Sequence, residues 1–596
     1  MGNIEEGNIE KDKTKTVIAM YDVRGIQKYI YRTPKVRNAI GASYIVENII
    51  EDALKYAVES IKNEQATRIN NENPYANIKV KLEWYDKGKE KDCICGYNEE
   101  NNDVEVLFIG GGNAFVSYSS IDLCRKINQR MSKYTLVNSY SFQLAVAIHE
   151  KSDNYANDYK SLQEKMADTK ADMAVAKPLG ALPVMKTELK SGYPAVFIDK
   201  GDEIFRLTNE KKNEPKSYET VLKLRAYIKK KKEKRLEKEE AVFDNLVLKK
   251  GEDSQLAVVH IDGNNMGLRI RGLIENKENY NDAVKEMRKV SYQITSSFRK
   301  VFDEMHDYFT KAAKEEAAFS GKENKYFIRE ILVAGDDITY VCNAGIALET
   351  VEYYCRKISA YAMNGKTDKE SIDNYGFSVC AGIAFIGSHF PFYIGYEVAE
   401  SCCSIAKERA KKEEYMDNGR IGNFVDFHIC KNIQAQDLKE TRKREYITRS
   451  GENLLIRPYY IHTEACNGNS NFEKNNREYF SFENLKHNIK YFQLKDNIPH
   501  SFAKQLRNTY PQGQSQTEMF NSFLLSRGFK MPDEYVKENE YSKKEESRLY
   551  FDSEKDRVKT AKWYDALELM DYYKSIKTEK GGLADGEVPD KNRASK

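Results

Sequence analysis

The stretch Leu256–Gly267, LAVVHIDGNNMG, and its companion Ile331–Cys342, ILVAGDDITYVC, decide the fold. The apolar run from Leu256 to Ile261 is bounded by an acid and a glycine, which reads as a buried strand ending in Asp262. In the companion, strands at Tyr326 to Val333 and Ile338 to Cys342 flank a tight turn of Ala334, Gly335, Asp336 and Asp337. Between the two stretches, Val284, Met287, Ile294, Phe298, Val301 and Met305 recur at helical spacing. A helix over Ile346 to Ile358 and a strand from Phe377 to Ile386 follow. Strand, helix, strand, strand, helix, strand predicts an α+β fold, a ferredoxin-like sheet with helices on one face.

The N-terminal half repeats the plan in its order of elements rather than in residue identity. A run from Val17 to Tyr21 ends in Asp22, and a helix follows with Ile45, Ile49, Leu54, Val58 and Ile61 on one face. Val106 to Ile109 and Ala114 to Val116 read as a hairpin around Gly110, Gly111, Gly112 and Asn113. A helix near Ile121 to Met131 and a strand from Phe142 to Ile148 close the copy. Acid and turn are about 90 residues apart in this copy and about 75 in the other, a difference that variable loops absorb.

A chain of 596 residues is too long for one core. The expected organisation is an N-terminal tail (1–15), a first sheet domain (16–150), a linker module (151–250), a second sheet domain (251–430), a helical C-terminal domain (431–575) and a flexible tail (576–596). Lys and Arg total 95 against 92 Asp and Glu, a net charge of +3, so no global field drives the chain onto nucleic acid or an anionic membrane. The run AYIKKKKEKRLEKEE, from Ala226, mixes signs and reads as a solvated helix, with RNA contact as the competing reading. No apolar run approaches a membrane span and no signal-peptide core opens the chain, so a cytoplasmic location is expected. The 10 Cys residues are scattered and read as reduced thiols; Cys93 and Cys95 are too close together, with no second pair, to make a strong zinc motif.

Neighbouring strands lie about 5 Å apart, so a carboxylate ending one strand can meet those of an adjacent hairpin. Asp262, Asp336 and Asp337 are thus expected to form one acidic pocket. Clustered carboxylates repel one another, and hard divalent cations such as Mg²⁺ or Mn²⁺ relieve that repulsion through oxygen ligands. A site of this kind suits nucleoside triphosphates, ATP among them: one ion can activate a hydroxyl while another holds the departing pyrophosphate. The loop Gly263, Asn264, Asn265, Met266, Gly267 can present backbone amides to phosphate, with Gly335 shaping the turn. Lys407, with Lys411 one helical turn on, can reach a β- or γ-phosphate; the alternative is an exposed, charge-paired helix face. An Asp-Asp pair alone is more often a solvated turn, and its setting between apolar strands in a duplicated chain is what raises it to a candidate catalytic centre.

At this point the sequence resembles the Cas ten family, the large subunit of type III CRISPR effectors. The matching motifs are IDGNNMG, LVAGDD, FSVCAGIAF (Phe377–Phe385) and PFYIGYEVAESCCSIAK ending at Lys407, with YDVRGIQKYI (Tyr21–Ile30) and LFIGGGNAFV (Leu107–Val116) in the first half. They span about residues 16 to 430, so the two sheet domains correspond to palms. The resemblance implies that the second palm joins ATP into cyclic oligoadenylates, with Asp262, Asp336 and Asp337 as catalytic and metal-holding residues, and that the first palm, at Gly110, Gly111, Gly112 and Asn113, helps hold the other nucleotide. It also implies guide or target RNA and other CRISPR-type subunits as partners, and no membrane.

The residues themselves support that division, because GGGN has no carboxylate where AGDD has two, and Asp22 alone is a poor two-metal site. A purely structural turn is the competing account of GGGN. Three departures stand out. The only His-Asp dipeptide, His306 and Asp307, lies in an apparent helix without further ligands, so no HD nuclease is expected. No Cys lies between Cys124 and Cys342, so the family's cysteine zinc module between the palms is expected to be reduced or metal-free. Ala334 replaces the first glycine of the family's GGDD turn, which bears on loop geometry more than on metal binding. Two other functions compete with the cyclase: an RNA-binding scaffold subunit with vestigial acids, and a diguanylate cyclase.

Overall fold

The computed structural model describes residues 16–32, 35–64, 73–86, 94–97, 101–110, 112–173, 180–189, 191–208, 210–234, 255–320, 327–361, 376–412, 416–417, 420–432, 437–462, 477–532, 549–552, 558–574 and 576. The tail 1–15, the tail 576–596 apart from Ile576, Gly111, Cys93 and the acidic end of the charged run lie outside these residues.

The first palm contains β1 (Val17–Arg24), α1 (Val36–Lys62), β2 (Val104–Gly110), β3 (Asn113–Tyr118), α2 (Ile121–Ser139) and β4 (Gln143–Glu150). Its strands lie in the order β2, β3, β1, β4, with a two-residue strand, Val80–Lys81, beyond β2. Helix α3 (Tyr155–Asp172) packs onto β4 and β1, so this unit runs past residue 150 into the stretch read as linker. Helix α4 (Tyr218–Lys234) lies against α1 so closely that a Cβ on Gly41 would fall 1.9 Å from the Lys223 carbonyl oxygen. The Lys-rich part of α4 is engaged within the protein: Lys230 pairs with Glu330 at 3.1 Å and Lys232 with Glu203 at 2.9 Å.

The second palm begins with β5 (Gln255–Gly263), α5 (Met266–Glu275) and α6 (Tyr280–Ser320). It continues with β6 (Ile328–Ala334), β7 (Asp337–Asn343), α7 (Ala347–Ile358), β8 (Val379–Gly387), α8 (Phe392–Ala410), β9 (Asn423–Ile429) and β10 (Tyr459–Ile461). Its sheet order is β10, β9, β8, β5, β7, β6, so the four-stranded core β6, β7, β5, β8 repeats β2, β3, β1, β4. The hydrophobic spacing of α6 becomes a stripe of Val290, Ile294, Phe298, Val301, Phe302, Met305 and Phe309 in the core.

The expectation of helices on one face needs correction. Alternate residues of β5 enter two cores. Ala257, Val259 and Ile261 face α6 and α7, whereas Leu256 and Val258 join Ala384, Ile386, Phe392 and Tyr396 under α8. Gly382 permits that second layer, since a Cβ there would meet the Ala399 carbonyl oxygen at 1.9 Å. The reason is the run on β5 and β8, which is apolar on both sides and must be covered twice.

The two palms meet reciprocally. Helix α1 packs on β6, and α6 packs on β2. There the buried Arg288 donates to the carbonyls of Leu107 and Val106, both at 2.7 Å, and pairs with Glu105 at 3.0 Å. The short helix Ile26–Tyr31 meets α8, and α5 meets α3. This is the approximate two-fold relation of a dimer made from one chain.

The described residues of 431–575, expected to form a separate helical domain, hold helices and short strands and are not separate from the second palm. They supply β10 to the palm sheet, and Phe482, Leu485, Ile489, Leu506, Trp563 and Leu567 share one core with α6 and α7. Arg457, fully buried, ties the two together: it donates to the Phe427 carbonyl of β9 at 2.7 Å and pairs with Asp565 at 3.1 Å and Glu568 at 2.6 Å. Among the described residues no helix is long and apolar enough to cross a membrane, and no cysteine is disulfide-bonded.

Candidate active site

Strand β5 is central, hydrogen-bonded to β7 on one side and β8 on the other. In the antiparallel β5–β7 ladder Asp262 stands directly opposite Asp337, and His260 opposite Thr339. Cross-strand partners share a face, so both carboxylates project toward the α8 layer. Lys407, on the last turns of α8, places Nζ 2.5 Å from Asp262 Oδ2 and donates to the Gly263 carbonyl at 3.0 Å.

Asp336 sits one residue earlier, at the turn, and its carboxylate packs on Gly263. A Cβ at Gly263 would lie 2.8 Å from Asp336 Oδ2, so glycine is required there. The three acids are therefore neighbours, but as a face-sharing pair, Asp262 and Asp337, with Asp336 offset around Gly263. Among the described residues no three His, Cys, Asp or Glu side chains form a preassembled metal cage.

The electrostatics show what the acids lack. Burial and the nearby Asp262 push the Asp336 carboxyl up to about 6. Burial, then Asp262 and Asp336, push Asp337 well above the ordinary carboxylate range. One Asp337 oxygen, Oδ1, is buried and has no hydrogen-bond partner, although the side chain as a whole is one-third exposed. Burial works against the Lys407 ammonium, but the Asp262 carboxylate outweighs it and leaves the group above its usual value. Repelling oxygens, one of them orphaned, are a donor set that suits a hard divalent cation.

The loop after Asp262 divides. Asn264 is buried and committed: its amide N–H donates to the Ser378 carbonyl at 2.9 Å, and its side-chain NH₂ to the Gly422 carbonyl at 3.1 Å. Asn265, with φ +54°, starts α5 without a side-chain cap and is exposed, as is Gly267, where a Cβ would meet nothing within 4 Å. The phosphate-facing candidates are thus the amides around Asn265 and Gly267. Gly335 has φ +62°, the left-handed region, so its hairpin turn needs glycine.

The first palm carries the same frame with one acid. Asp22, two residues before the end of β1, stands opposite Asn113 in register, as Asp262 stands opposite Asp337. Lys170 of α3 holds Asp22 at 2.5 Å, the separation of Lys407 from Asp262. Asn113 Oδ1, like Asp337 Oδ1, is buried without a partner. Gly112, the residue before Asn113, has φ +80°, and a Cβ on Gly110 would meet nothing within 4 Å.

Sequence reasoning missed Lys170 and His260. A signal for the lysine existed: Lys170 and Lys407 each lie fifteen residues after the first residue of equivalent helices. His260 Nδ1 is 3.1 Å from Thr339 Oγ1 and 3.5 Å from Asp337 Oδ1; burial pushes the ring down to about 4, so it is neutral near pH 7.

A split βαββαβ sheet with acids at a strand end and in the adjoining hairpin defines a palm domain. Residues 255–416 match the family model described as Cas10/Cmr2, second palm domain. No curated protein matches the chain. Solved structures that resemble it include the Csm1-Csm4 cassette in complex with cA4, at 14% identity and TM-score 0.37, covering 73% of this chain and 58% of that one. Another is the apo Csm1-Csm4 cassette, at 12% identity and TM-score 0.43, covering 95% of this chain and 71% of that one.

Proposed function

We propose that the chain is a Mg²⁺- or Mn²⁺-dependent nucleotidyltransferase that joins ATP into cyclic or linear oligoadenylates, as a subunit of a type III CRISPR effector that also binds guide or target RNA. The observation that carries this reading is the register pair of Asp262 and Asp337 on one sheet face, under Lys407, inside the stretch that matches the Cas10/Cmr2 second palm domain.

Asp262 and Asp337, with Asp336 beside them, would hold the cation, which supplies charge neutralisation at the reacting phosphate. The chain's own residues do the rest. Lys407, freed from Asp262, is within reach of the triphosphate as a point charge. The amides around Asn265 and Gly267 would offer N–H groups to phosphate oxygens. The first palm, through Gly110, Gly112 and Asn113, would hold the second nucleotide across the reciprocal interface. A ribose oxygen on one nucleotide then attacks the α-phosphorus of the other, the bond to the bridging β-phosphate oxygen breaks, and pyrophosphate leaves. Fixing both reactants supplies much of the rate.

The test is incubation of the full chain with ATP and Mg²⁺, with and without RNA, and separation of products by chromatography. Oligoadenylate from the wild type and none from a folded Asp336→Ala, Asp337→Ala variant supports the reading. Equal product from both would remove it. RNA binding with no product from any nucleoside triphosphate favours the scaffold, and product from GTP alone a diguanylate cyclase.

A further inference from the structure

The first palm reaches into the second palm's acid pair through a row of rings. Tyr31, at the end of the short helix after β1, is buried and stacks on Tyr396 of α8 with ring centroids 3.6 Å apart and planes 21° apart. It also meets Phe392 edge-on at 5.6 Å. Tyr396 in turn stands edge-on to His260 at 5.6 Å and 79°. His260 is buried, and its Nδ1 lies between Thr339 Oγ1 at 3.1 Å and Asp337 Oδ1 at 3.5 Å. Four side chains from two palms thus run in contact from Tyr31 to the orphaned oxygen of Asp337.

Neither end of this row is explained by ordinary packing. The Tyr31 hydroxyl is buried beside the Thr339 hydroxyl without a well-formed hydrogen bond, and the ordered contact of the side chain is its ring stack on Tyr396. Asp337 Oδ1 is buried against His260 while the side chain keeps one-third of its surface open. One carboxylate oxygen therefore lies against the imidazole, while the side chain keeps open surface on its other side.

We propose that Tyr31 is a positioning residue by which docking of the first palm sets the Asp337 carboxylate: Tyr31 fixes Tyr396, Tyr396 fixes the His260 ring, and the ring fixes the acid. The inference rests on the proposed metal-dependent function of the same site. It assigns the first palm a task besides holding a nucleotide, namely switching on the cation site only when the two palms are together. Protein interiors are close-packed, so a shift of a few tenths of an ångström in stacked buried rings is passed to their neighbours.

The test compares Tyr31→Phe, Tyr31→Leu and His260→Gln in the full chain, with Met131→Ala, a first-palm core substitution remote from the row, as the stability control. Three quantities are read: Mn²⁺ affinity by electron paramagnetic resonance, kcat and KM for ATP, and the Asp337 rotamer in crystals. Tyr31→Phe keeps the ring and is expected to match wild type. Tyr31→Leu is expected to weaken Mn²⁺ binding about tenfold and lower kcat about tenfold with KM within about twofold, and to release the Asp337 rotamer; His260→Gln should do the same. Met131→Ala lowers the melting temperature without these changes. Wild-type Mn²⁺ affinity and rotamer in Tyr31→Leu overturn the proposal, as does Tyr31→Phe behaving like Tyr31→Leu. If the wild type makes no product and binds no Mn²⁺, the functional reading fails; the rotamer comparison still decides the coupling by itself.

Discussion

The two palms are the same frame with different chemistry at the end of one hairpin. Each sets an aspartate near the end of a strand against the first residue of a returning strand, and each pairs that aspartate with a lysine from the helix that follows the fourth strand. In the first palm the partner residue is Asn113, and one lysine balances one acid. In the second it is Asp337, with Asp336 adjoining, and Lys407 leaves an excess of negative charge. Duplication supplied the geometry, and two carboxylates make the difference between a charge-balanced platform and a site that calls for a cation.

The largest effect that tests this comparison is expected from Asp337→Asn, which gives the second palm the aspartate–asparagine pair of the first. Turnover measured by product chromatography should fall by about 10³-fold or more with the melting temperature preserved, as removal of a charge-stabilising group at a reacting centre does. Next is Gly382→Ala, which drives a methyl into the α8 backbone and displaces the helix that carries Lys407. A loss of about 3 kcal/mol in denaturant unfolding is expected, together with reduced turnover. Gly110→Ala, with open space around it, should leave stability within about 0.5 kcal/mol. Between these two in size is Asn113→Asp, which faces Asp22 with a like charge. A fall of a few °C in melting temperature, from about 1 kcal/mol, is expected in chelator and should be recovered in millimolar Mg²⁺. Lys170→Met should cost about 1 kcal/mol, because the Asp22 pair is partly solvated.

Much of this frame was legible in the sequence. Apolar runs ending in acids, the Gly-rich hairpins and the helical spacing of α6 report local physics, and the structure has those elements in that order. The parts that were not legible depend on contacts between distant segments. Tyr459–Ile461 is too short to announce a strand and becomes one by pairing with β9. The α8 layer follows from β5 and β8 being apolar on both faces, a pattern that alternation alone reads as a simple buried run. The acids were identified by type, but their arrangement as a pair with Asp336 set aside depends on which residue of the turn sits opposite Asp262. The ring row from Tyr31 to His260 joins three segments far apart in the chain and leaves no periodic mark.

The most direct measurement is the anomalous scattering of Mn²⁺ in crystals of the full chain. The account predicts manganese bound at the Asp262 and Asp337 carboxylates and none beside Asp22. Manganese at Asp22, or none at Asp262 and Asp337 at concentrations that saturate binding in solution, would contradict it.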